Sequence, residues 1–305
     1  MKAGLGLVLV LVLALSACTQ SVADGSRVDD QLPLLFPEGP RPEAHDYVVD
    51  GRKIHYLLMP GGPARIIFLH GTPGNWQGWS EFLADPRLRE LATMIAVDRP
   101  GFGNSGRGHM VPQLDDQVRL LAPLLEIEGG GQDHSAVLVG HSLGGPIAAR
   151  MAMEHSAQVR AALLIAPSID PATERPRWFN QLADTWLARA FAGTWIQHQF
   201  ADDDLYNANA EIMPLARNLK AMEPDWSRVT MPVTVLQGMK DTLVNPATAD
   251  YAERVLPKGN ASVLRLPNED HFVLWREPRL VVEAIVDLLN RSANAANGAA
   301  GVSGS

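Results

Sequence analysis

A serine stands alone between two glycines in Gly140-His141-Ser142-Leu143-Gly144, after the apolar run Ala136–Val139 and before residues with helical spacing, Leu143, Ile147 and Met151. A chain that passes from strand to helix through so short a turn must strain the backbone at its central residue. A Cβ two positions to either side would collide with the neighbouring strand or helix. Such a bend holds a hydroxyl clear of the sheet, beside a helix N-terminus whose free N–H groups favour developing negative charge. The chemistry that suits this placement is nucleophilic attack. An alcohol is a weak nucleophile at neutral pH and needs a base that takes its proton and hands it to the leaving group. Histidine, with an ordinary pKa near ~6.5, does both. The chain carries nine histidines, most of which are expected to serve packing or the surface. No H-E-x-x-H or other tight metal-ligand spacing occurs, so neither a metal nor a cofactor is expected.

The elements that must position this serine follow from hydrophobic pattern. Short apolar runs recur at Ile66–Leu69, Met94–Val97, Ala136–Val139, Ala161–Ala166, Val233–Leu236 and Ser262–Leu266. Most intervals between them have helical spacing, as in Val281, Ala284, Ile285 and Leu288 after Pro278. Continuous rather than alternating apolar strands predict a mostly parallel, doubly wound α/β sheet covered on both faces. Ahead of them, Asp50-Gly51 between two strand-like runs predicts an antiparallel hairpin at the sheet edge. From Ser168 to about Ser227 the strand rhythm is interrupted by a stretch holding Trp178, Trp186, Trp195 and Trp226. It is expected to form a helical cap over the serine, its aromatics either shaping an apolar pocket or gluing the cap to the sheet.

Several segments together resemble the α/β-hydrolase family. The G-x-S-x-G turn at Ser142 is one; "LHGTPG" (Leu69 to Gly74) resembles the family's oxyanion loop, and "DRPGFGNS" (Asp98 to Ser105) its D-x-P-G-x-G-x-S turn. "LQGMKDTLVNP" (Leu236 to Pro246) and "NEDHFVLWREP" (Asn268 to Pro278) resemble the segments that carry its acid and its histidine. The resemblance spans roughly Tyr47 to Leu289 and implies a Ser142, Asp241, His271 triad in the family's chain order. Asp170, one strand earlier, is the rival acid, because some members place it there. Asp98 is read as a loop-fixing residue, and His70 and His141 as shaping the site. The backbone N–H groups of Thr72 and Leu143 map to the oxyanion hole. What the resemblance implies is a serine hydrolase cleaving carboxylic esters of short to medium acyl chain through an acyl-serine. The alternatives are lactone, amide or carbon–carbon bond hydrolysis, perhydrolysis, and a non-catalytic membrane-anchored binding module. Epoxide hydrolases and haloalkane dehalogenases are disfavoured, since they resemble this framework with aspartate where Ser142 stands.

The ends have a different character. Residues 1–17 place Lys2 before a Leu/Val-rich stretch and then small residues, the layout of a signal peptide too short for a membrane span. Leu15-Ser16-Ala17-Cys18 resembles the lipobox of bacterial lipoproteins, which implies lipidation at Cys18, the only cysteine in the chain. The expected place is the bacterial cell envelope, lipid-anchored, with Thr19 leaning toward the periplasmic side of the outer membrane. Residues 18–43 read as a tether, 44–290 as the hydrolase domain with its insertion at about 168–227, and 291–305 as a disordered tail. In its 305 residues, 46% hydrophobic and 20% charged, there is room for one α/β domain with an insertion. A net charge of −8 and the lack of any Lys/Arg-rich run exclude a nucleic-acid partner. A small-molecule ester is the expected partner.

Overall fold

The computed structural model describes residues 31–106, 109–127, 135–176 and 203–302. The segment up to Pro40 is a compact unit of its own, whose described part is a one-turn helix, α1 (Leu32–Leu35). That turn falls in the stretch read as a tether. The rest of the chain forms the second unit.

This second unit is built on a seven-stranded sheet, β1 (Glu43–Val49), β2 (Arg52–Leu69), β3 (Ala92–Val97), β4 (Ala136–His141), β5 (Val159–Ile165), β6 (Val233–Gly238) and β7 (Ala261–Leu266). The predicted edge hairpin is present, with Val49 opposite Arg52 and positive φ at both Asp50 (50°) and Gly51 (73°). That is the two-residue turn whose twist matches paired strands. Strand β2 folds back on itself at Pro60–Pro63. Its first arm pairs β3 in descending register, Tyr56 opposite Val97 and Met59 opposite Met94, and its second in ascending register, Ile66 opposite Met94 and Leu69 opposite Val97. Strand β3 therefore lies between the two arms. Gly61 and Gly62 sit at the bend because a Cβ on either would come within 2.2 Å of a backbone oxygen at Ala92 or Glu90. From the second arm onward the order β2-β4-β5-β6-β7 is parallel throughout.

Every residue of β3, β4 and β6 is buried, as the continuous apolar runs require. Two short helices, α2 (Ser80–Ala84) and α3 (Pro86–Leu91), join β2 to β3. Alternate side chains serve opposite faces. Ile67, Leu69, Leu138 and Leu164 join one core cluster with Val118 and Leu121 of α4 (Leu114–Leu121) and Ile147 and Met151 of α5 (Gly144–Glu154). Their neighbours Ile66, Phe68, Val137 and Leu163 are equally buried, and Phe68 stacks on Trp79 with ring centroids 4.9 Å apart. Each such aliphatic burial stabilises the fold by about 1.5–3 kcal/mol.

Between β5 and β6 the chain makes an insertion whose described helical elements are α6 (Asp203–Met222) and a following 3-10 turn, Glu223–Arg228. Trp178, Trp186 and Trp195 lie outside the described residues. Trp226 is buried in the core cluster, where its Nε1–H donates to the Tyr251 hydroxyl at 3.3 Å, so it glues the insertion to α7 (Thr248–Val255). The terminal helix α8 (Pro278–Val302) corrects the reading of 291–305 as a disordered tail, because residues 291–302 continue it. Alanine supplies helix propensity there, and Ser292 Oγ donates to the Leu288 carbonyl at 2.8 Å while accepting from Arg160 Nε at 2.9 Å. No helix among the described residues is long and apolar enough to cross a membrane.

Candidate active site

The strand β4 ends at His141, the helix α5 begins at Gly144, and Ser142 bridges them with φ of +53°. A left-handed serine costs about 1–2 kcal/mol and persists only where its surroundings over-determine it. They do so here. Ser142 N–H donates to the Ile165 carbonyl at 2.9 Å, and the Ser142 carbonyl accepts from Gly145 N–H at 2.9 Å and Ser168 N–H at 3.2 Å. The flanking glycines are required by close approach. A Cβ on Gly140 would lie 2.3 Å from the Gly144 carbonyl oxygen, and one on Gly144 would lie 2.2 Å from the Leu69 oxygen.

Two loops bring a histidine and a carboxylate together at the same edge of the sheet. His271 follows β7, Asp241 follows β6, and His271 Nδ1 lies 2.8 Å from Asp241 Oδ2, both side chains being buried. An ionised carboxylate has no proton to give, so Nδ1 is the donor and Nε2 keeps its lone pair. The other carboxylate oxygen, Oδ1, accepts from Leu243 N–H at 2.8 Å and Val244 N–H at 2.9 Å, so Asp241 closes its own loop and cannot swing away. His141 steadies the opposite side. Its Nε2 lies 3.1 Å from the His271 carbonyl oxygen, and the two rings are 4.9 Å apart. Burial first, and the facing His271 second, push its pKa down to about 3, so it donates that bond as a neutral imidazole.

A model of the alpha/beta hydrolase family matches residues 66–284, which takes in Ser142, Asp241 and His271 on the turns that follow β4, β6 and β7. The chain belongs to the alpha/beta hydrolase family. Among curated relatives it is 26% identical over 269 residues to 2-(acetamidomethylene)succinate hydrolase of Mesorhizobium japonicum, a match covering 79% of this chain and 93% of the relative. It is 32% identical over 119 residues to the dihydrolipoyllysine-residue acetyltransferase component of the acetoin cleaving system of Cupriavidus necator; that match covers 39% of this chain and 30% of the relative's length. Among solved structures, a membrane phospholipase A described as a bacterial virulence factor superposes with a TM-score of 0.64 at 22% identity, over 96% of this chain and 100% of that one. At that identity the likeness speaks to fold alone.

Within this alpha/beta hydrolase the other predicted residues fall as follows. Leu143 is the residue before α5, so its N–H belongs to the first-turn donors that have no acceptor inside the helix. Thr72 follows Gly71, where a Cβ would lie 2.9 Å from Ser142 Cβ, so the oxyanion-loop candidate passes directly against the serine. Asp170 turns its carboxylate to its own chain, Oδ1 accepting from Ala172 N–H at 2.9 Å, while the carboxylate that lies against His271 is that of Asp241. Asp98 is fully buried and fixes two loops, accepting from Trp76 N–H and Asn104 N–H at 2.8 Å each. His70 is a structural neighbour too; burial and the adjacent Arg99 cation hold its pKa well below the usual histidine value. Among the described residues no cluster of histidine, cysteine and acidic side chains could hold a metal ion. Cys18 lies outside the described residues.

Two residues that sequence reasoning missed also border the site. Arg99 and Glu211 form a buried ion pair, Nη1 to Oε1 at 2.8 Å, beneath the loop that carries Thr72. Arg99 could have been noticed as a charge inside the apolar context of the Asp98–Ser105 turn. Glu211 gives no local signal, being one acidic residue on a helix of mixed composition.

Proposed function

We propose that the protein is a serine hydrolase that cleaves carboxylic esters of short to medium acyl chain through an acyl-serine intermediate. The observation that carries this reading is Ser142, held at φ +53° between strand and helix in a member of the alpha/beta hydrolase family. In the proposed cycle Ser142 Oγ attacks the ester carbonyl as its proton passes to His271 Nε2. The charge left on His271 is stabilised by Asp241, and the oxyanion is met by the N–H groups of Thr72 and Leu143. Collapse breaks the bond to the alcohol, which leaves with the proton from His271. Water, deprotonated by the same nitrogen, then attacks the acyl-serine, and the acid departs with Ser142 restored. Aspartate at the position of Ser142 would have favoured alkyl-transfer chemistry, and a serine favours acyl transfer. We further propose that Cys18 is lipidated and tethers the enzyme to the bacterial envelope, on the strength of the Leu15–Cys18 motif. Labelled fatty acid should be incorporated into the full chain and not into a Cys18→Ala variant.

The deciding experiment is hydrolysis of a p-nitrophenyl ester series of increasing acyl length by wild type and by Ser142→Ala. Turnover that peaks at short or medium chains and disappears in the variant supports the reading. If wild type turns over no ester and takes up no fluorophosphonate, Ser142 is not an activated nucleophile, and a binding module on a hydrolase scaffold becomes the better account.

A further inference from the structure

We propose that Arg99 and Glu211 act as positioning residues that aim the Thr72 N–H at the reacting carbonyl, with the anchor of that arrangement lying on the inserted helix α6. This rests on the reading of Ser142 as the acyl-forming nucleophile.

The guanidinium of Arg99 is fully buried and uses all five of its N–H donors. Nε donates to the His70 carbonyl at 2.8 Å, and Nη2 to the Gly71 carbonyl at 2.9 Å. Nη1 donates to Gln117 Oε1 at 2.7 Å and Glu211 Oε1 at 2.8 Å, and Nη2 also reaches Glu211 Oε2 at 3.1 Å. The Gly71 carbonyl receives a second donor, His70 Nδ1–H, at 2.7 Å, while His70 Nε2 accepts the Arg99 backbone N–H at 2.9 Å.

The consequence comes from peptide geometry. The Gly71–Thr72 bond is trans, and in a trans peptide the carbonyl and the next N–H point in opposite directions. Two donors that fix the Gly71 oxygen on the Arg99 side therefore turn the Thr72 N–H to the other side of the loop. Gly71 is the residue that lies against Ser142. The donor's direction is thus set from behind, by a charge that touches neither substrate nor serine.

The counter-ion of that charge belongs to the insertion. Glu211 is 2% exposed and lies on the face of α6 that also carries Leu215, Leu219 and Met222 into the core cluster. Asn218, on the same face, donates to the Pro112 carbonyl at 3.0 Å. One helix face therefore seats the insertion on the sheet and neutralises the cation that orients the oxyanion loop. A buried arginine stripped of its carboxylate would draw in water or move, and either releases the two carbonyls.

The test compares the full-length wild type with Glu211→Gln, Arg99→Lys and the double variant Arg99→Gln/Glu211→Gln, which leaves no unpaired ion inside the protein. Each is assayed on p-nitrophenyl butyrate and on its thiono analogue, whose carbon–sulfur double bond is a poor hydrogen-bond acceptor and gains little from oxyanion donors. Thermal melts identify the variants that fold. The expected result is a kcat for the oxygen ester lower by about tenfold or more, with KM within about twofold, and a fall in the oxygen-to-thiono rate ratio by a similar factor. A folded variant whose ratio matches wild type, whether both rates fall together or neither does, overturns the proposal and leaves Arg99 and Glu211 as structural residues. Should the single variants fail to fold, the double variant decides by the same ratio. If wild type hydrolyses neither ester and takes up no fluorophosphonate, the serine-hydrolase reading fails and this proposal with it. Wild-type turnover with an unchanged ratio in the variants overturns the positioning role alone.

Discussion

Replacing Asp241 by asparagine should separate the orientation of His271 from its mere presence. The two carboxylate oxygens have different partners: Oδ1 accepts the N–H groups of Leu243 and Val244 at 2.8 and 2.9 Å, and Oδ2 faces His271 Nδ1 at 2.8 Å and accepts more distantly from Gln237 Nε2 at 3.4 Å. An asparagine has one oxygen and one NH2 group to divide between those two sides. The backbone side offers two donors and no acceptor, so the amide oxygen belongs there and the NH2 is turned toward His271. An NH2 can only donate to Nδ1, which forces the imidazole proton onto Nε2, the atom that receives the proton of Ser142 in the proposed cycle. The loop keeps its two bonds, so the fold should be little changed. A wrong tautomer in this arrangement costs about 10⁴ in kcat, roughly 5.4 kcal/mol of barrier. The assay is steady-state turnover of p-nitrophenyl butyrate beside a thermal melt, with Asp170→Asn as the control expected to stay within a few-fold of wild type. A folded Asp241→Asn protein that loses less than tenfold would refute the argument, and a collapse of kcat in Asp170→Asn would move the role to that residue.

Three further outcomes follow from the structure. His70 and His141 are buried with pKa values pushed down, His141 to about 3, so the unfolded chain binds the extra protons. The stability they contribute is complete above about pH 6.5 and is lost as pH falls toward their folded values. By pH 5, before most carboxylates titrate, His141 alone should cost roughly 2 kcal/mol, and His70 adds to it with the same sign. Urea midpoints at pH 7, 6 and 5 measure this, and midpoints that do not move would contradict it. At the elbow, Gly144→Ala places a Cβ 2.2 Å from the Leu69 oxygen, where overpacking typically costs about 1–3 kcal/mol; both melting temperature and ester turnover should fall. Gly51→Ala, at φ +73° with nothing within 4 Å of its Cβ, should cost only about 1 kcal/mol and leave turnover unchanged.

How far the sequence could be read depended on whether each feature is held by its neighbours in the chain. The Asp50-Gly51 turn, the strands around Ser142 and the buried parallel sheet are local patterns, and hydrophobic period with turn chemistry sufficed for them. The contact of Asp241 with His271 was legible through family resemblance, although the two residues are 30 apart. The fold-back of β2 was not. Pro60-Gly61-Gly62-Pro63 signals a turn, but only the register shows that β3 enters between the arms. The helix beyond residue 290 was missed because small polar composition resembles a solvated tail, while what holds Ser292 is Arg160, an arginine 132 residues away.

The same distinction explains why the ion pair under the loop of Thr72 escaped notice. A carboxylate that closes its own loop, as Asp241 does through Leu243 and Val244, leaves its mark within three residues. Glu211 is 112 residues from Arg99, and nothing in the spacing of either betrays the other. A buried charge pair is a poor means of gaining stability, since apolar residues of similar volume commonly do as well or better. The use proposed for it lies in direction. A guanidinium with five donors can hold two successive carbonyls, a glutamine and a carboxylate at once, and no apolar side chain can fix the orientation of a peptide plane in that way. The strain at Ser142 and the charge at Arg99 are therefore the same kind of feature: each costs stability, and each sets the direction of a group on the loops that meet at the serine.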